Sequence, residues 1–121
     1  MIFTLIPQDH SLIVWPNVAD LLGKAARTTN GKYSKMSILD ELLNNTIELW
    51  VVYDEDRKPV AALTTRVVAY DKFRALSVDW VGGGKMSKWI DLVIETLTKY
   101  AKDQDCSMMA GYGRRVWSRI I

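Results

Sequence analysis

One cysteine, Cys106, and one histidine, His10, stand in 121 residues. A single cysteine rules out an internal disulfide, and a single histidine rules out a metal site built on several imidazoles. No apolar run reaches the roughly 18 residues that a membrane span needs. The apolar start, Met1 to Ile6, has no basic leader and breaks at Pro7 and Asp9, so it does not read as a signal peptide. Charge of one sign is also scarce: 16 Lys and Arg oppose 14 Asp and Glu, a net +2. So small an excess does not by itself argue for nucleic acid. These shortages exclude a disulfide scaffold, a multi-histidine metal centre and a membrane span. They leave a cytoplasmic protein as the expectation.

What is present is ordinary for one folded domain, here taken as residues 1–121. Apolar residues make up 49% and charged residues 25%, the usual globular mix. A chain of this length buries about two thirds of its unfolded surface and needs no staple. Charge is unevenly placed. Residues 1–60 carry six basic and eight acidic side chains, and residues 61–121 carry ten and six. The last stretch, residues 106–121, holds Arg114, Arg115 and Arg119 and no acid beside Trp117.

Periodicity sketches the elements. Ile2–Ile6 reads as a short buried strand. Residues 15–27 read as a helix with Pro16 in its first turn and Val18, Leu21, Leu22 and Ala25 on one face. Asn30-Gly31 supplies a turn. Residues 37–45 read as a second helix capped by Ser37, with Asp40 three residues on. Residues 46–53 and 59–70 are β-branched and aromatic, separated by Asp54 to Lys58, and read as a hairpin. Residues 74–81 read as the next strand. Gly82-Gly83-Gly84 follows as a loop, and then residues 85–103 carry a helical stripe of Met86, Ile90, Val93, Ile94, Leu97 and Ala101. Residues 106–111 read as a strand and residues 113–121 as a short terminal helix. The order is β-α-α-β-β-β-α-β-α, an α/β domain in which the last β-α-β unit makes a parallel pair beside an antiparallel meander.

This order resembles the GNAT fold of acetyl-CoA-dependent N-acetyltransferases. The strand over residues 74–81, the run Gly82-Gly83-Gly84-Lys85 and the long helix carry the likeness. The chain is also similar to small GNAT-like proteins of tailed bacteriophages. That likeness rests on Leu49-Trp50-Val51-Val52-Tyr53 with Val60-Ala61-Ala62-Leu63-Thr64, on Trp89-Ile90-Asp91-Leu92, and on Gly111-Tyr112-Gly113-Arg114-Arg115-Val116-Trp117-Ser118-Arg119-Ile120. The resemblance implies an acetyl-CoA ligand, its pyrophosphate held by Val81, Gly82, Gly83, Gly84 and Lys85. Helix-start amides are unpaired donors with partial positive charge, and glycine lets a ligand come close. It implies an acceptor amine that attacks the thioester directly, with strand edges near residues 78–81 and 107–110 holding the pantetheine arm. Two departures stand against it. The loop matches the family's pattern, an Arg or Gln, two further residues and then Gly-x-Gly or Gly-x-Ala, only in glycine content. The family's two further strands have no room after residues 113–121.

Each candidate has a plainer reading. The glycine run serves equally as a connector, and it lacks the Gly-Lys-Ser/Thr of a nucleotide P-loop. Asp79, on the strand before it, is placed where some GNAT enzymes keep a proton acceptor. By alternation it shares a face with Ser77 and Val81, and a solvated acid at a sheet edge is the commoner outcome. Tyr112 and Ser118 fall near the family's general acid, although Tyr112 precedes the expected helix. Cys106 is expected as a buried structural thiol. Trp50, Trp80 and Trp89 are expected in the core, and Trp15 and Trp117 at a partner surface. The basic and aromatic residues are too sparse for a nucleic-acid platform. Two functions remain open. One is an acyl-CoA-binding N-acetyltransferase-like enzyme. The other is a non-catalytic phage protein of the same fold that contacts a virion or host protein, in the host cytoplasm or on the virion.

Overall fold

Alternation along residues 48–53 sorts their side chains onto two faces. Trp50 and Val52 join one hydrophobic cluster, and Leu49 and Val51 join another. A strand buried on both sides needs a layer of helices on each, and the chain supplies them. The computed structural model of the chain describes residues 1–27, 33–111 and 119–120. Six strands lie in one sheet in sequence order: β1 (Ile2–Ile6), β2 (Glu48–Tyr53), β3 (Pro59–Ala69), β4 (Arg74–Gly83), β5 (Met108–Gly111) and β6 (Arg119–Ile120). β1 to β4 pair antiparallel, β4 and β5 pair parallel, and β6 returns antiparallel to β5. Helices α1 (Ser11–Arg27) and α2 (Lys35–Leu43) cover one face. Helix α3 (Met86–Asp103), which joins β4 to β5, covers the other with Trp89, Val93, Leu97 and Ala101. No helix among the described residues is long and apolar enough to cross a membrane.

The expected elements are present, with shifted ends. The helix foreseen at residue 15 starts at Ser11, after a 3-10 turn over Gln8–His10, so Pro16 lies inside it. Its ring forfeits the bond to the Leu12 carbonyl, in a stretch where Leu12 and Ile13 face solvent. This earlier start also takes Trp15 into the core, only 9% exposed, rather than to a partner surface. Ser34, not Ser37, caps α2. Ser37 is the third residue of the helix and returns a bond to the Ser34 amide, closing a capping box. The terminal segment, foreseen as a helix, contains a strand at Arg119–Ile120 that adds to the sheet beside β5. The Asn30-Gly31 turn, Tyr112, Arg114, Arg115, Trp117 and Ser118 lie outside the described residues. Trp50, Trp89 and Cys106 are buried, as their patterns suggested, and Trp80 is half-buried.

The glycine run differs most from expectation. Gly82 and Gly83 are not loop residues. They are the last two residues of β4, opposite Ala62 and Ala61. A Cβ at Gly82 would stand 1.8 Å from the Leu21 carbonyl oxygen, so α1 rests on bare backbone there. Gly83 has φ +136°, and a Cβ there would meet Ala61 Cα at 2.5 Å. Only Gly84 faces open space. Gly82→Ala is therefore expected to destabilise the fold by roughly 3 kcal/mol or more, and Gly84→Ala to change stability by no more than about 0.5 kcal/mol. Urea midpoints of the two variants check this contrast.

Candidate functional site

The site lies at the end of β4, beyond its described pairing with β5. The parallel pairing runs from Ala75 with Met108 to Val78 with Gly111. β4 then continues through Gly83 with β3 on one side and, among the described residues, no strand on the other. A strand edge of this kind presents unpaired amides and carbonyls. At its end the chain turns sharply into α3. The Gly84 amide donates to the Val60 carbonyl at 3.3 Å, and the Trp89 indole N–H donates to the Gly84 carbonyl at 2.8 Å. Lys85, the residue before the helix, takes a left-handed backbone with φ 58°. The Lys88 amide bonds back to the Lys85 carbonyl at 2.9 Å. The Lys85 and Ser87 amides have no partner among the described residues. Lys85 and Lys88 are both exposed at this corner.

A bulge stands directly after the described β4–β5 pairing. Thr65 pairs with Val78 and Thr64 with Trp80, so Asp79 is an extra residue in β4. The bulge breaks the alternation on which the sequence expectation relied. Ser77 and Asp79 share a face, but Val81 packs against the α3-side core. Asp79 is not a solvated edge acid either. Its side chain is 14% exposed, Arg66 Nε lies 2.7 Å from Oδ2, and the Ser77 hydroxyl donates to Oδ1 at 2.6 Å. Glu41 comes from α2 to the same place. Burial and the Asp79 charge raise its carboxyl above the ordinary value, against the opposing pull of Arg66 and a hydrogen bond from Trp80. Tyr33 stands edge-on to Trp80 with ring centroids 5.3 Å apart.

The other face of this row carries a second polar chain. The Trp50 indole donates to the Thr65 hydroxyl at 2.9 Å, and that hydroxyl donates to Glu48 Oε2 at 3.1 Å. The Tyr100 hydroxyl reaches Glu48 Oε1 at 3.4 Å. Burial pushes the Glu48 carboxyl up, and the bonds from Thr65 and Tyr100 only partly offset it. Burial, then the nearness of Glu48, raises the Tyr100 hydroxyl in turn.

No family model and no curated protein matches the chain. Solved structures do. A probable acetyltransferase superposes with TM-score 0.70 at 12% identity over 95% of this chain and 80% of its own. The ribosomal-protein-alanine N-acetyltransferase of Brucella melitensis biovar Abortus 2308 gives 0.66 at 15% over 96% and 83%. Tetrahymena GCN5 gives 0.68 at 11% over 91% and 69%. The fold is that of the GNAT acetyltransferases.

Within that GNAT fold, the sequence reading found the corner after β4 and one residue of the bulge. It placed Ser77 on the face of Asp79 and did not name Glu41, Glu48 or Arg66. No linear spacing announces them, because they meet through strand register and the placement of α2. Tyr112, the acid candidate from the resemblance, is not among the described residues. Glu48 yields a pH expectation. A raised carboxyl pKa means the folded state holds that proton more tightly than the unfolded chain does. Its stabilising share is full below the ordinary value of 4.5 and is lost as pH rises through the folded value. Glu48→Gln keeps a hydrogen-bonding amide and removes the titration. The unfolding free energy of the parent chain relative to this variant should therefore fall between pH 4 and pH 8, as read from urea unfolding at each pH.

Proposed function

We propose that the chain binds an acyl-CoA and acts as an N-acetyltransferase-like protein with an amine acceptor. The observation that carries this reading is the GNAT fold itself, with β4 running through Gly83 into the exposed start of α3 and no described strand beside its last residues. An extended pantetheine arm can add to the bare edge of β4 as a further strand would, main chain to amide. The Lys85 and Ser87 amides, the positive end of α3 and the charges of Lys85 and Lys88 suit a pyrophosphate. Gly84 leaves room for it. Val81, Gly82 and Gly83 would meet the arm through their main-chain edge, while a Cβ at Gly82 or Gly83 is barred by α1 and β3. Catalysis in such a site is positioning: an amine held against the thioester carbonyl, with the carbonyl oxygen polarised by a strand amide. The acceptor is an amine of unspecified kind. The sequence likeness to tailed-phage proteins supports a phage-encoded setting in the host cytoplasm.

The alternative of a non-catalytic contact protein rests on the packing duties of Gly82 and Gly83, which account for two of the three glycines without a ligand. A thermal shift with acetyl-CoA separates the readings. A ligand at a hundred times its dissociation constant adds about 2.7 kcal/mol, so the melting temperature should rise by several degrees. Gly84→Asp places a carboxylate in open space at the corner and should abolish the shift while leaving the melting temperature without ligand nearly unchanged. No shift in the parent chain at millimolar acetyl-CoA removes the enzyme reading.

A further inference from the structure

The two edges of the sheet are unlike. One is the two-residue strand β6, Arg119–Ile120. The other is β1, five residues paired on one side only, to β2. Among the described residues no strand lies along its outer edge, so alternate amides and carbonyls there have no strand partner. Folded chains blunt such an edge with a lysine, an inward charge, a proline or a bulge. Ile2-Phe3-Thr4-Leu5-Ile6 has none of these. No residue in it is charged or a proline, and its register against β2 runs unbroken from Ile2 with Tyr53 to Ile6 with Leu49. Phe3 and Leu5 pack against the α3-side core, and Ile6 belongs to the core under α1 and α2. Met1 and Ile2 begin the strand, and Leu12 and Ile13 begin α1 after the turn over Gln8–His10 that follows it. These four apolar residues are 40% to 72% exposed.

We propose that β1 pairs antiparallel with β1 of a second copy of this chain, about a two-fold axis at Thr4, joining two sheets into one. This goes beyond the acyl-CoA reading and does not depend on it. The occupant is a second copy because the strand is a chemical palindrome: two apolar residues, a threonine, two apolar residues. A register centred on Thr4 sets Ile2 opposite the partner's Ile6, Phe3 opposite the partner's Leu5, and Thr4 opposite the partner's Thr4. The axis stands perpendicular to the sheet, so α3 faces continue α3 faces and apolar side chains meet apolar ones on both sides. No like charges oppose each other anywhere along the strand. A foreign strand could satisfy the main chain, but a symmetric row of side chains is matched by its own copy. The area is also that of a small dimer. At about 200 Å² for a large apolar side chain, the exposed parts of Met1, Ile2, Leu12 and Ile13 come to roughly 450 Å² per copy, and the strand's main chain adds to it. Two copies together lie near the roughly 1,200 Å² at which standard interfaces begin, so the dimer is weak and forms as concentration rises. The contact is isologous and consumes the bare edge of each copy, so it closes at two instead of growing into a fibre.

Two measurements on the full chain test this. The first is the mass in solution by sedimentation equilibrium, from low micromolar to millimolar protein. The parent chain should rise from 13.8 kDa toward twice that mass. Thr4→Lys and Thr4→Glu each set like charges face to face on the axis and should stay monomeric, while an equimolar mixture of the two should regain the dimer. The second is thiol cross-linking in a Cys106→Ala chain, which leaves one introduced thiol per copy. Residues directly opposite in an antiparallel pair have Cα atoms about 4.5–5.5 Å apart, within disulfide reach. Thr4→Cys should therefore oxidise to a covalent dimer. Ile2→Cys should not, because the two copies of that position stand about 13 Å apart in this register. A parent chain that is still monomeric at millimolar concentration overturns the proposal. So does a dimer that survives Thr4→Lys, or an Ile2→Cys chain that cross-links as readily as Thr4→Cys.

Discussion

At Gly82 a strand and a helix meet backbone to backbone, and the rest of the molecule is arranged around that contact. With the Leu21 carbonyl sitting where a side chain would be, α1 settles directly onto the end of β4. That fixes the distance between the helical layer and the sheet in one place. Val18 and Leu22 then pack fully against β2 and β3. β4 itself runs on through Gly83 by pairing with β3. The turn into α3 is pinned by Gly84 to Val60 and by Trp89 to Gly84. The end of β4 and the start of α3 are thereby held at one end of the sheet by packing and backbone hydrogen bonds.

The bulge at Asp79 is the second constraint. One extra residue reverses the facing of everything after it, so Trp80 turns to α2 and Val81 to α3. Charged groups collect at this row because a bulge interrupts the ladder and opens space for them. Arg66, Ser77 and Asp79 satisfy one another, and Glu48 is satisfied through Thr65 and Tyr100. The aromatic stacking of Phe3 on Trp50, with Tyr100 edge-on, flanks that half-buried carboxyl on the α3 side. The sheet at this row is a partition with separate polar systems on its two faces, coupled only by charge.

Much of the fold could be read from the chain because its signals are local. Ile2–Ile6 alternates in the sequence and is a strand. The stripe from Met86 to Ala101 repeats at helical spacing and faces the core in α3. Polar Asp54 to Lys58 separates two β-branched runs that pair as a hairpin. Other features were hidden because they depend on what lies across space. The extra residue at Asp79 shows only in register against β3. Glu41 is 38 positions from Asp79 in the chain and meets it through the seating of α2. Ser34 was overlooked as a cap because Ser37, three residues on, carries the same chemistry. The strand at Arg119–Ile120 was read as helix because its pairing partner, β5, supplies what its own sequence does not.

Gly82 also bears on how such a chain drifts over generations. Its glycine is demanded by the touch of two backbones, and Gly83 by its φ and by Ala61, whatever happens at the helix start. A descendant that had lost all chemistry would still be obliged to keep both. A glycine-rich signature at this junction therefore reports descent and foldability, and it is Gly84, unconstrained by any neighbour, whose loss or retention would record whether selection still acts on a ligand.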